Sequence, residues 1–168
     1  HKIGPPPRGT RDPFLYTSRG HFDSQLQALR DAGFRAVRLS EAFAASPSTD
    51  RKGVITFDDG FRSALDNGLE ILARHKSCAI QFIVAGLIGK RNEWDIEKRD
   101  VPEPLMDEAQ LKEWLAAGHE LGSHSLTHRN LKRLNTAEAR EEISASKKLL
   151  EDRFGVPVKH FSYPFGGW

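Results

Sequence analysis

"VITFDDGFRS", residues 54–63, sets two carboxylates, Asp58 and Asp59, directly after an apolar run. Val54, Ile55, Thr56 and Phe57 are strong strand formers, while Leu65, Leu69, Leu72 and Ala73 recur at helical spacing. The stretch reads as strand, acidic turn, helix. Taken alone, Asp59-Gly60 is a common turn dipeptide that needs no chemistry to explain it. The rest of the chain decides whether the doubled acid does more than turn the backbone.

Upstream, "KIGPPPRGTRDP" carries four of the nine prolines and reads as an extended loop outside the core. Phe22, Leu26, Leu29 and Ala32 have helical spacing and Gly33 stops the helix. "FRAVRLS" reads as a strand, "EAFAA" as a helical turn and "SPSTDRKG" as a loop. Downstream, "AIQFIVAGLIG" offers a second apolar strand, and "RNEWDIEKRDVPEP" lacks periodicity and reads as a surface loop. Asp107 can cap a helix carrying Leu111, Trp114 and Leu115 and ending at Gly118. After the extended "HELGSHS", Asn135 and Glu138 form a capping box for a long amphipathic helix closed by Gly155. "VPVKHFSYPFGG" is a last strand and turn. Strands alternating with helices predict one α/β domain over residues 1–168, its parallel sheet open or closed into a barrel.

Composition narrows the function. The 168 residues, 38% hydrophobic and 29% charged, suit one globular domain with a sizeable core. The net charge of +2 is carried by scattered basic residues, so no nucleic-acid-binding stripe is expected. One cysteine, Cys78, excludes an internal disulfide and a cysteine-rich zinc site. No apolar run reaches the ~18 residues of a membrane span. A start at His1 without methionine and an end straight after a strand suggest a piece of a longer protein.

Ligands of parallel α/β sheets sit beyond the carboxyl ends of the strands. Three such loci carry reactive groups: Asp58 and Asp59, His124 and His128 in "GSHSLTH", and Ser162 to Gly166 in "FSYPFG". Two histidines four residues apart can face one ion, although either alone reads equally well as a surface or capping residue. With one carboxylate they make a three-ligand site that leaves a position open for water. Asp59 as the ligand leaves Asp58 uncoordinated to accept a proton from that water. Gly60 permits the sharp turn that brings both acids to one side. His1, His21, His75, His119 and His160 have no comparable partner in sequence and read as structural or surface residues.

"TFDDG" at 56–60, "HSLTH" at 124–128 and "FSYPFG" at 161–166 resemble the first three motifs of the NodB-homology polysaccharide deacetylases, the fourth carbohydrate esterase family. The resemblance implies a distorted (β/α) barrel, incomplete here at one or both ends. It implies Asp58 as general base and Asp59, His124 and His128 as ligands of a divalent metal, zinc foremost. The implied reaction removes acetyl groups from an N-acetylated, or sometimes O-acetylated, glycan. The Phe165 N–H would serve the oxyanion, and Tyr163 and Phe165 would wall the sugar. An extracytoplasmic, cell-envelope location is the family expectation. "HKIGPP" and "AGFRAVRLSEAF" are similar to the subgroup acting on poly-N-acetylglucosamine.

Two departures stand out. Ser162 occupies the place where the family often has an arginine that orients the base, and no histidine matches the later motif that supplies an acid to the leaving amine. A small-amide hydrolase and a glycan-binding barrel without turnover are the other readings of the same residues.

Overall fold

The structure, a computed structural model, describes residues 1–43, 51–96 and 100–167. Its strands are β1 (Lys2–Ile3), β2 (Tyr16–Thr17), β3 (Phe34–Ala36), β4 (Arg51–Gly53), β5 (Ile55–Phe57), β6 (Ala79–Ile83) and β7 (Glu120–Ser123). The helices are α1 (Arg19–Asp31), α2 (Leu39–Ala42), α3 (Arg62–Arg74), α4 (Glu108–Ala116) and α5 (Thr136–Phe154). All strand pairing is parallel, as expected for strands joined by helices.

The architecture is α/β, but among the described residues no sheet closes into a barrel. β1–β2, β3–β4 and β5–β6–β7 form three separate sheets. The reason lies in the short strands. The run 51–57 breaks its pairing at Val54, so its first half bonds to β3 and its second half to β6. At the other edge, a bridge from Ser123 to Phe161 extends the three-stranded sheet.

β6 is buried along its whole length, which explains its near-continuous apolar sequence. One face of the sheet carries the core, where Phe57 meets Phe22 at 5.8 Å and Trp114 at 6.0 Å between ring centroids, both edge-to-face. Trp114 is fully buried and its indole N–H donates to the Glu120 carbonyl at 3.1 Å, tying α4 to β7. The predicted capping box at Asn135–Glu138 is present, and the predicted cap Asp107 proves to be half of a second box with Gln110.

Three expectations are corrected. Lys2 and Ile3 are not loop: they pair with Tyr16 and Thr17, and both side chains are buried. Arg51–Gly53, read as loop, is a strand because β3 supplies its ladder and Arg51 lies over the Phe34 ring. Residues 44–50 of that reading lie outside the described residues. The stretch 91–104 folds back through bridges Arg91↔Pro104 and Phe61↔Leu105, with Asn92 fully buried and donating to Asp95 at 2.7 Å. It is a built wall, although residues 97–99 lie outside the described residues.

Trp114→Ala should cost about 3–5 kcal/mol in urea unfolding, the usual cost of emptying an aromatic core position. A pH effect follows from His119, whose Nδ1 accepts from the Ala79 N–H at 3.2 Å. Burial, with Arg38 nearby, pushes this imidazole down to about 4. The folded state therefore binds fewer protons here than the unfolded chain, so this stability is present above pH ~6.5 and lost as pH falls toward 4. The parent should lose up to about 3 kcal/mol more than His119→Gln between pH 7 and 4; equal losses would remove the assignment.

Candidate metal centre

The turn after β5 takes left-handed backbone at Asp59 (φ 75°) and Gly60 (φ 86°). An extended strand would point consecutive acids to opposite faces; this turn breaks that alternation, and glycine accepts it without a Cβ penalty. It is fixed from both flanks: the Gln81 amide donates to the Asp58 carbonyl at 3.1 Å and the Met106 N–H to the Gly60 carbonyl at 2.8 Å.

Parallel pairing of β6 with β5 and β7 aligns their carboxyl ends, so His124, directly after β7, faces the acidic turn. His124 Nε2 lies 3.3 Å and His128 Nε2 3.1 Å from Asp59 Oδ1. All three side chains are buried. The His124 Nδ1–H donates to the Ser162 carbonyl at 2.9 Å, which leaves Nε2 with its lone pair toward Asp59 in the neutral ring. A lone pair facing a carboxylate oxygen at this distance is repulsive unless a proton or a cation lies between them. The titration directions agree: burial opposes ionisation, yet the two imidazoles hold Asp59 well below the usual carboxylate range. Burial likewise opposes the charged form of His124, but Asp59 outweighs it and raises the imidazole. The candidate ligand atoms lie within 4.8 Å of one another, so the donor set fits a divalent cation.

Asp58 behaves oppositely. Burial raises its carboxyl above the ordinary value, with the Asp59 charge adding to this and His124 and a Ser162 hydrogen bond opposing it. The Ser162 hydroxyl thus reaches the acid that the family's arginine often orients. The His1 imidazole Nε2 lies 3.8 Å from Asp58 Oδ2. Both Asp58 and His1 line one cavity of about 730 Å³ together with the three candidate ligands.

Two groups of this site escaped the sequence reading. His1 read as structural or surface, whereas β1 carries it to Asp58; nothing near it in sequence gives that away. Trp94 lay in the presumed surface loop, but its indole stacks on His128 with centroids 4.0 Å apart and 24° between planes. A lone tryptophan in a polar stretch was the available signal. Phe165, left-handed at φ 61°, brings its ring 4.7 Å from His128, and Tyr163 packs on Phe161 at 5.1 Å. Tyr163 and Phe165 line the cavity and stay 43% and 53% exposed, as a surface-facing wall requires. His21, His75, His119 and His160 do not line it.

The chain is 26% identical over 157 residues to the putative polysaccharide deacetylase YxkH of Bacillus subtilis, covering 90% of this chain and 52% of that protein. It is 26% identical over 161 residues to a poly-beta-1,6-N-acetyl-D-glucosamine N-deacetylase of Staphylococcus aureus, covering 89% and 53%. The chain therefore spans about half the length of the curated relatives it matches. Its fold is that of the Streptococcus pyogenes deacetylase PplD, solved in complex with acetate (TM-score 0.81, 22% identity, 100% of this chain and 72% of that one). IcaB from Ammonifex degensii is similar in fold too (TM-score 0.75, 21% identity, 98% and 77%). The polysaccharide deacetylase family model matches residues 45–168, and the chain belongs to that family.

Proposed function

We propose that this chain is the catalytic portion of a metal-dependent deacetylase that hydrolyses the acetamide of an N-acetylglucosamine-type glycan. The observation that carries the reading is the division of two adjacent acids: Asp59 converges with His124 and His128, while Asp58 stays apart and shares their cavity. A binding site alone gains nothing from the second acid. Exposed aromatic walls suit the faces of a sugar ring, and among the described residues no arginine lines the cavity to hold a small carboxylated amide.

Asp59, His124 and His128 would hold the ion, with zinc preferred for an imidazole-rich, three-ligand set. When bound, the ion supplies Lewis acidity to the acetyl carbonyl and lowers the pKa of a nearby water. Asp58, raised toward a proton-accepting range, takes the proton of the attacking water as the new C–O bond forms. The Phe165 N–H donates to the developing oxyanion, and Tyr163 and Phe165 flank the sugar. As the C–N bond breaks, the leaving nitrogen needs a proton, and His1 beside Asp58 is the group placed to give it. This assigns to His1 the acid role for which the sequence offered no candidate. Glycans of this class place the reaction at the cell envelope; no described helix is long and apolar enough to cross a membrane.

Calorimetry after chelator treatment should give one zinc per chain, lost in Asp59→Ala and in His124→Ala. Asp58→Asn should keep the zinc and lose about 100- to 10,000-fold in acetate release from N-acetylglucosamine oligomers; release of zinc by this variant would overturn the division of roles.

His1→Gln should lower kcat on the oligomers by a similar ~100-fold or more, yet far less on an activated aryl acetate, whose leaving group departs unprotonated. An equal loss on both substrates would show that His1 is no acid.

A further inference from the structure

The second histidine stands on a backbone that would not hold its shape unaided. Between β7 and the 3-10 turn Leu131–Arg133, Ser125 (φ 68°) and His128 (φ 63°) both take left-handed conformations, unfavourable for residues with a Cβ. The carbonyls of Ser125 and Leu126 accept from the N–H groups of Ala85 and Gly86, at 3.1 and 2.8 Å. Gly86 is needed there, because a Cβ would stand 2.7 Å from the Leu126 oxygen. The His128 N–H donates to Ser125 Oγ at 3.0 Å.

On the side facing α5, Arg129 pairs with Glu138 at the surface, and one buried residue takes up the groups just before His128. Glu142, on the inward face of α5 and 6% exposed, accepts from the Leu126 N–H at 3.0 Å and the Thr127 N–H at 2.9 Å through Oε2, and from the Thr127 hydroxyl through Oε1. A buried carboxylate is costly unless its lone pairs are satisfied. Here all three bonds go to the two residues just before His128, and charge-assisted bonds of this kind are roughly twice as strong as neutral ones. The capping box at Asn135 fixes where α5 begins, and so where Glu142 stands relative to the loop.

We propose that Glu142 is a positioning residue for metal binding: its carboxylate pre-forms the loop, so His128 faces Asp59 before an ion arrives. The proposal rests on the reading of Asp59, His124 and His128 as the metal site. His124 is held independently, by its N–H to the Ile83 carbonyl and its ring to Ser162, so Glu142 governs the distance between the two imidazoles rather than either ring alone. Outer partners that orient ligands are typically worth 10- to 100-fold in metal affinity.

The test compares Glu142→Leu, Glu142→Gln and Thr127→Val, using zinc alone as the probe after chelator treatment. Amide hydrogen exchange is read in the metal-free proteins. Glu142→Leu should raise the zinc dissociation constant about 10- to 100-fold and abolish protection of the Leu126 and Thr127 amides. Glu142→Gln keeps an oxygen for both amides and an NH₂ that can donate to the Thr127 hydroxyl, so it should stay within about threefold of the parent. A generally weakened fold would not be rescued in this selective way. Zinc affinity within twofold of the parent in a folded Glu142→Leu, or equal weakening in the Leu and Gln variants, overturns the proposal. If Glu142→Leu does not fold, Thr127→Val decides: faster exchange at residues 126–127 with weaker zinc binding supports the clamp, and no change in either refutes it. A parent chain that takes up no zinc would defeat the metal reading itself, whereas the exchange data would still show whether Glu142 holds the loop.

Discussion

One carboxylate oxygen, Asp59 Oδ1, organises the functional end of the molecule. Two imidazole nitrogens approach it to within 3.3 Å from a loop more than sixty positions away in the chain. The parallel ladder brings those segments together, and left-handed residues on both sides then aim the side chains. The His124 Nε2 lone pair and Asp59 Oδ1 can lie this close, and this buried, only with a proton or a cation between them. Neighbouring carboxyls respond in opposite directions: Asp59 is pulled down by its imidazoles and Asp58 is pushed up by burial. Adjacent acids whose environments drive them apart are suited to different tasks.

Around this point the fold spends its irregular segments rather than its helices. The stretch 91–96 lays Trp94 on His128, the residues after the last strand bring Phe165 to the same ring, and β1 delivers His1. Helices α3, α4 and α5 supply core residues packed with Phe57 and Trp114, and α5 also holds a site loop through Glu142. The regular elements give rigidity, and the loops at the strand ends give chemistry.

The legible parts of the sequence were those in which a local pattern and its structural consequence coincide. Strand β5, helices α3 to α5 and the caps at Asp107 and Asn135 follow from spacing within a few residues, and the grouping of Asp59, His124 and His128 follows from their shared place beyond strand ends. The barrel expected from family resemblance is where reading ran ahead, since closure depends on pairings between distant edges, and the described strands are only two to five residues long. Lys2–Ile3 and Arg51–Gly53 were missed because neither is apolar enough to announce a strand; their partners supply the ladder. His1, Trp94 and Glu142 share a different difficulty. Each acquires its role from a contact made across the fold, and periodicity carries no trace of such contacts.

The anchoring of β1 has a consequence for the conditions in which the site keeps its shape. Lys2 is 2% exposed; its ammonium lies 2.6 Å from Glu103 and over the Phe61 ring at 4.2 Å, while Tyr16 bonds the same carboxylate. Dissolved ions screen exposed charges within about 10 Å at moderate ionic strength but reach an enclosed pair poorly. The strand carrying His1 is therefore fastened by an attraction that brine and dilute buffer weaken almost equally little. Among the described residues, most other ion pairs, such as Lys148–Asp152 and Arg62–Asp66, are solvent-facing and fade with added salt. The molecule thus combines a salt-responsive exterior with a salt-indifferent hold on its N-terminal strand.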